Sequence, residues 1–433
     1  MSIFQKNAAL AAIWKQHKKS LCAAENLPAE SIEAAIEAGT MVLLGNPAHP
    51  SLLPLLVGQP SRVKINANIG TSPLCHCPET EQRKLQMALD AGADTVMDLS
   101  IAGDLNAIRA GMLATCRLPI GTVPMYAVAQ KILDADLAVS TMKADDLFTE
   151  IAHQGTQGVD FITVHCGLTR RGAEWATQKA GATQNGRIMG IVSRGGSILA
   201  RWMLDHQQEN PLLDGFDHLL DIALKHNMTL SLGDGLRPGA GVDAGDAAQW
   251  EEVITLGRLA EYALSKGVQC MIEGPGHVPL HEVENQIQGI KKLTHNAPLY
   301  VLGPLTVDSA PGYDHIAGAI GGAIAVKAGV DFLCYLTPAE HLTLPDVEDV
   351  RAGVMASRVA AHAGEVALGR PHALAREHKM NAGRAALNWD MMTEAALDPA
   401  MLMKRREEHK HEDVCAMCGK FCAVKMLKDR EQK

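Results

Sequence analysis

The chain predicts an α/β fold, a (βα)8 TIM-type barrel carrying an N-terminal helical region and a C-terminal helical tail. Three observations predict it. Short apolar runs alternate with helix-length segments, and strands reached through helical crossovers pair in parallel. A polar, glycine-containing loop follows nearly every run at its C-terminal end. Apolar residues make up 47% of 433, enough to core one large domain with appendages.

Taken in order, residues 1–60 form an Ala-rich N-terminal region of helical pattern that breaks at Gly45-Asn46-Pro47 and Pro50. Residues 61–375 form the barrel, and residues 376–433 a charged helical segment that ends in a cysteine cluster. The strands expected are Val63–Asn68, Thr95–Leu99, Ile120–Val123, Phe161–His165, Met189–Val192, Thr229–Leu232, Gln269–Glu273, Leu299–Leu302 and Asp331–Tyr335. Nine runs compete for eight places. Met189–Val192 follows His165 with little helix between and has the poorest βα spacing. The loops read NANIG, MDLS, GTVPMY, HCG, SRGGS, GDGLRPG, EGPGH, LGP and TPAEH. A barrel gathers all such loops at one mouth, whereas a doubly wound sheet gathers only some.

Composition narrows the function. Aromatics are only 4%, so Ala, Gly, Leu, Ile and Met fill the core. Forty basic residues against 49 acidic leave a formal charge of −9, which argues against a nucleic-acid partner. No run approaches the ~20 apolar residues of a membrane span. Ile316–Val326 is short, Gly/Ala-rich and closed by Lys327. The N-terminus lacks a small-residue cleavage site and carries Lys15, Lys18 and Lys19, so it reads as an amphipathic helix and the protein as cytoplasmic. Ten cysteines without a secretion signal do not suggest a disulfide framework.

Cys415-Ala-Met-Cys418-Gly-Lys-Phe-Cys422 puts three thiols in one short segment. Three thiolates on a four-iron cluster leave one iron open to chelate S-adenosylmethionine, whose C–S bond then breaks on electron transfer. Structural zinc is the alternative, with His409 or His411 as fourth ligand, although the second CxxC of a zinc ribbon is missing. Cys75-His76-Cys77 is left unassigned, because one intervening residue points the two thiols awkwardly for a shared metal.

Together the tail and the strand-end loops resemble the phosphomethylpyrimidine synthase family, the radical enzymes of thiamin pyrimidine synthesis. NANIG, TVMDLS, GTVPMY, GIVSRGGS, SLGDGLRPG, EGPGHVPL, TPAEHL and CAMCGKFCAVK carry the resemblance, over roughly residues 60–425. It implies the barrel, a homodimer, aminoimidazole ribotide as substrate, S-adenosylmethionine as cosubstrate and an external electron donor. By the same resemblance the substrate-binding positions are Asn68, Met97, Tyr126, His165, Ser193, Arg194, Gly195, Asp234, Gly235, Leu236, Arg237, Glu273 and Tyr300. A divalent ion, zinc or iron, falls to His277 and His341, and a [4Fe-4S] cluster to Cys415, Cys418 and Cys422.

The departures also carry information. The family's MDLSTGG is here Met97-Asp-Leu-Ser-Ile101-Ala102-Gly103, and its TDIAPG is here Val307-Asp308-Ser309 followed by Ala-Pro-Gly. A retained binding shell in altered surroundings resembles the paralogue that makes 5-hydroxybenzimidazole, the cobalamin lower-ligand precursor, from the same ribotide. That product is the expectation, with the pyrimidine phosphate as the alternative.

Physical chemistry supports the assignments. Ser193-Arg194-Gly195-Gly196-Ser197 opens a helical stretch, and glycines at a helix N-terminus beside an arginine suit a phosphate. Asp234–Arg237 adds a second arginine and a carboxylate for ribose hydroxyls. His165 and Glu273 end strands where they can serve as catalytic proton-transfer groups, with nearby thiols as further donors. His281 rivals His341 as the partner of His277 if that segment is helical. A zinc-dependent barrel hydrolase or aldolase, and an inactive ribotide-binding sensor, are the readings from other classes.

Overall fold

The computed structural model describes residues 2–74, 77–178 and 186–426. Cys75 and His76 therefore lie outside the described residues; Cys77 is exposed, with its Sγ 3.3 Å from Glu79 Oε2. The chain divides into two compact units, Met1–Gly364 and Glu365–Lys433.

In the first unit, β1 (Met41–Leu44) and β2 (Leu55–Gly58) form an antiparallel pair that the sequence reading did not foresee. Four-residue strands buried on both faces show no alternation to read. The Gln269 side chain stands in for a further strand, accepting from Leu43 N at 2.7 Å and donating to Leu43 O at 3.0 Å.

The barrel follows: β3 (Lys64–Ile69), β4 (Thr95–Asp98), β5 (Ile120–Thr122), β6 (Phe161–Val164), β7 (Thr229–Leu232), β8 (Cys270–Gly274), β9 (Leu299–Leu302) and β10 (Phe332–Cys334). All neighbours pair in parallel, and β10 returns to β3 to close the ring. The predicted (βα)8 class is observed. Met189–Val192 is not a strand. Ile188 and Met189 are exposed, and their backbone N–H groups donate to the Asp243 carboxylate at 2.9 and 3.0 Å. A side chain supplies what a strand neighbour would have supplied, and the ring closes without this run.

Between strands, the helices begin and end where local chemistry dictates. Pro78–Ala91 starts with proline at its first turn and stops at Gly92, whose φ of 86° is left-handed; Ala247–Lys266 stops likewise at Gly267. Inside the barrel, Phe161 and Phe332 meet edge to face at 6.4 Å, and Tyr300 stacks on Phe332 at 4.3 Å. Gly121 makes room for this layer, since a Cβ there would lie 2.2 Å from the Phe161 ring.

At the N-terminal ends of β5 and β6 sits a fully buried histidine–aspartate pair. His49 Nδ1 lies 2.8 Å from Asp160 Oδ2, and His49 Nε2 lies 3.0 Å from Cys116 O. The Asp160 carboxylate also accepts from the backbone N–H groups of Asn46 and Ile120. An anchor this far from the strand C-termini serves stability rather than chemistry in this fold.

The second unit is helical: Pro371–Ala386, Trp389–Ala395 and Pro399–Arg406 precede the cysteine segment. Arg406 stacks over the Trp389 ring at 3.7 Å and donates to Val414 O and Glu412 O; Trp389 Nε1 donates to Asp413 O. This stack fixes the backbone immediately before Cys415. Among the described residues no helix is long and apolar enough to cross a membrane.

Candidate active site at the barrel mouth

The C-terminal ends of the strands surround a cavity of about 550 Å³. Asn68, Met97, Tyr126, His165, Ser193, Asp234, Arg237, Glu273 and Tyr300 line it, as expected of a binding shell gathered from seven strand ends. Arg194 lies outside this lining, in an adjoining cavity, with its guanidinium 4.8 Å from the Tyr126 ring. Gly195, Gly235 and Leu236 do not line it either. Gly195 packs under His165, where a Cβ would stand 2.3 Å from Cε1, and Leu236 is wholly buried.

Burial dominates the electrostatics. The His165 imidazole is pushed down to about 3 by burial, and next by the Arg237 charge, so it is neutral. Its Nε2 lies 3.1 Å from Ser193 Oγ, which also accepts from Gly196 N at the start of helix Arg194–His206. Burial lifts the Asp234 carboxyl to about 8, outweighing Arg237, whose Nη1 is 3.2 Å from Asp234 Oδ1. Glu273 is likewise raised by burial, although Thr163 and Ser231 both donate hydroxyls to its Oε1 at 2.7 Å. His165 Nδ1 and Asp234 Oδ2 are buried without a partner. Buried polar atoms seldom go unsatisfied, so these two are set for a polar ligand.

A hydrogen-bonded network crosses the seam where the ring closes. Asn66 Nδ2 donates to Tyr300 Oη and Asn68 Oδ1, each at 2.7 Å, and Asn68 Nδ2 lies 3.0 Å from Cys334 Sγ. Burial lifts the Cys334 thiol to about 12. Sequence reading missed Thr163, Ser231 and Cys334 as parts of the site. The first had a signal: Thr163 and His165 are two apart on a strand and point the same way.

The adjoining cavity, of about 750 Å³, shares Asn68 and Leu99 with the first. Ile101, where the chain departs from the family pattern, forms part of its wall beside Arg194, Glu340 and His341.

The structure pairs His277 with His341. Their ring centroids are 5.3 Å apart; His277 Nδ1 lies 2.8 Å from Asp308 Oδ1 and His341 Nδ1 3.0 Å from Asp314 Oδ1. Carboxylates on Nδ1 leave both Nε2 atoms available, the arrangement that orients imidazoles towards a metal. The donor set thus fits an open site with two protein ligands. Among the described residues no group of three or more His, Cys, Asp or Glu forms a closed metal centre. His281 is exposed and sits 3.6 Å from Glu282 instead.

In the second unit, Cys415 is held below the usual thiol range by backbone N–H groups of Cys418 and Met417, with the Cys418 thiol against it. Soft sulfur donors in one segment, with N–H groups aimed at a sulfur, fit an iron–sulfur cluster.

Comparison with known proteins agrees. A family model described as the Radical SAM ThiC family matches residues 4–429. The phosphomethylpyrimidine synthase of Thermoanaerobacter sp. (strain X514) is 47% identical over 427 residues, 98% of each chain. Those of Desulforamulus reducens and Methanopyrus kandleri are 48% and 46% identical over 411 residues, 94% of each chain. The hydrolase and sensor readings give way to this assignment, and the preference for the benzimidazole-forming paralogue finds no support among these names. The chain belongs to the radical S-adenosylmethionine ThiC family.

Proposed function

We propose that this protein converts aminoimidazole ribotide to 4-amino-5-hydroxymethyl-2-methylpyrimidine phosphate. The observation that carries the reading is the coincidence of the ribotide-binding shell with one polar cavity, in a chain nearly half identical to phosphomethylpyrimidine synthases along its whole length. The phosphate is taken by Arg237, Ser193 and the first turn of helix Arg194–His206, the ribose hydroxyls by Asp234. His165, neutral with Nδ1 free to accept a hydrogen bond, and Glu273, whose carboxyl burial raises, face the aminoimidazole as its proton-transfer groups. A [4Fe-4S] cluster held by Cys415, Cys418 and Cys422 supplies, when bound, the electron that cleaves S-adenosylmethionine. His277 and His341 hold a divalent ion. An external electron donor and a second copy of the chain are the expected partners.

A second reading, 5-hydroxybenzimidazole formation, is favoured by one observation. Ile101, in place of the family's threonine, puts an apolar wall beside the ribotide cavity. Anaerobic incubation of the cluster-loaded protein with ribotide, S-adenosylmethionine and reductant, followed by mass spectrometry, decides. Pyrimidine phosphate with 5′-deoxyadenosine is expected. A benzimidazole product selects the second reading, and neither product with no 5′-deoxyadenosine rejects both.

A further inference from the structure

Outside the cavity lining, one buried arginine spends all its donors on one carboxylate and three backbone carbonyls around the turn Asp234–Arg237. Arg187 is 4% exposed. Its Nε and Nη2 grip the Asp246 carboxylate at 2.7 and 2.8 Å, and Nη2 also donates to Leu236 O at 2.6 Å. Its Nη1 donates to Gly190 O at 3.2 Å and Arg237 O at 3.4 Å. A guanidinium has five N–H donors, and these five bonds exhaust them. Nothing remains for a ligand.

The N–H of the same residue, Leu236, is held as well. Glu252, buried on helix Ala247–Lys266, accepts from Leu236 N at 2.7 Å. Leu236 is therefore fastened through both its N–H and its C=O, by an acid on one side and a guanidinium on the other. Asp246, which anchors Arg187, is also the N-cap of that helix, accepting from Gln249 N at 2.9 Å. Arg187, Asp246 and Glu252 thus register the turn Asp234–Arg237 against one rigid helix. The flanking residues of that turn, Asp234 and Arg237, are the two whose side chains enter the cavity.

We propose that Arg187 and Glu252 are positioning residues that set Asp234 and Arg237 in register with the ribotide. This rests on the reading of those two side chains as ribotide ligands. Lysine cannot replace Arg187, because a single ammonium has no planar fork to hold a carboxylate and two carbonyls at once. Glutamine can replace Glu252, because its amide oxygen still accepts from Leu236 N.

Steady-state turnover by the cluster-loaded full chain tests this, with ribotide KM and kcat read separately and Tm recorded. Arg187→Lys is expected to raise KM about tenfold, the size of one or two lost charge-assisted bonds, with kcat changed far less. Glu252→Leu should do the same and Glu252→Gln should restore KM. In the double variant with Arg237→Ala, the Arg187→Lys effect should shrink well below its size in the single variant, since only Asp234 is left to position. With Arg194→Ala the two effects should add. Where Arg187→Lys does not fold, the Glu252 pair carries the test at a temperature below each Tm. A KM unchanged in Arg187→Lys or Glu252→Leu, or full additivity with Arg237→Ala, overturns the proposal. If Arg237→Ala itself leaves KM unchanged, the ligand reading fails instead.

Discussion

His277 and His341 face one another across the barrel mouth with ring centroids 5.3 Å apart, each tethered at Nδ1 by its own aspartate. Each tethering aspartate is itself held by a backbone N–H, Asp308 by Gly241 at 2.8 Å and Asp314 by Gly312 at 3.2 Å. Removing such a tether typically costs 10–100-fold in metal affinity. Asp308→Asn should therefore weaken divalent-ion binding by roughly that factor, and His341→Ala should abolish it. Anaerobic calorimetry with Zn²⁺ or Fe²⁺ is the measurement; affinity unchanged in both variants would remove the ion from this site.

Acid should destabilise the protein partly through His165. Its folded value is depressed to about 3, while an unfolded histidine titrates near ~6.5. Between these the unfolded chain holds a proton that the native state lacks, so stability falls as pH drops from about 6.5 towards 3. His165→Gln should flatten that limb in urea unfolding followed across the window. An unaltered slope would mean the imidazole is charged in the folded site.

The loop Ser193–Ser197 and the turn Asp234–Arg237 touch through glycine. A Cβ on Gly196 would stand 2.4 Å from Gly235 O, with backbone on both sides and no flexible side chain to give way. Gly196→Ala should cost about 1–3 kcal/mol of stability and weaken ribotide binding. At Gly241 the nearest atom to a new Cβ is 3.4 Å away, so Gly241→Ala should change neither. Thermal melts and ribotide titration of the two variants distinguish these outcomes.

At the opposite end of the barrel, His49→Ala leaves the Asp160 carboxyl buried without its imidazole partner. A loss of about 3–5 kcal/mol is expected, as for breaking one side of a buried pair. Ribotide KM should stay at the parent value, because the pair is remote from the cavity lining. A raised KM at unchanged stability would reverse this division between the two ends.

Much of this was legible in the residues. The eight barrel strands announced themselves through apolar runs capped by glycine loops, and the loop residues that line the cavity sit where a barrel mouth requires them. Met189–Val192 misled because its apolar character is real while its backbone bonds go to side chains, of Asp243, Arg187 and Ser197, with no local signature. The β1–β2 pair escaped because its strands are short and buried on both faces. Thr163 and Ser231 look like ordinary strand hydroxyls until both meet the Glu273 carboxylate, and only the ring geometry brings three strands to one oxygen. His277 and His341 were paired by resemblance; spacing alone would have allowed His281.

Because β10 pairs with both β9 and β3, the last strand to leave the ribosome completes the wall that Asn66 and Tyr300 began. A nascent chain ending short of Cys334 has most of the cavity's polar side chains and no enclosure to put them in. Enclosure of the cavity therefore waits on β10, however early the other strands are in place.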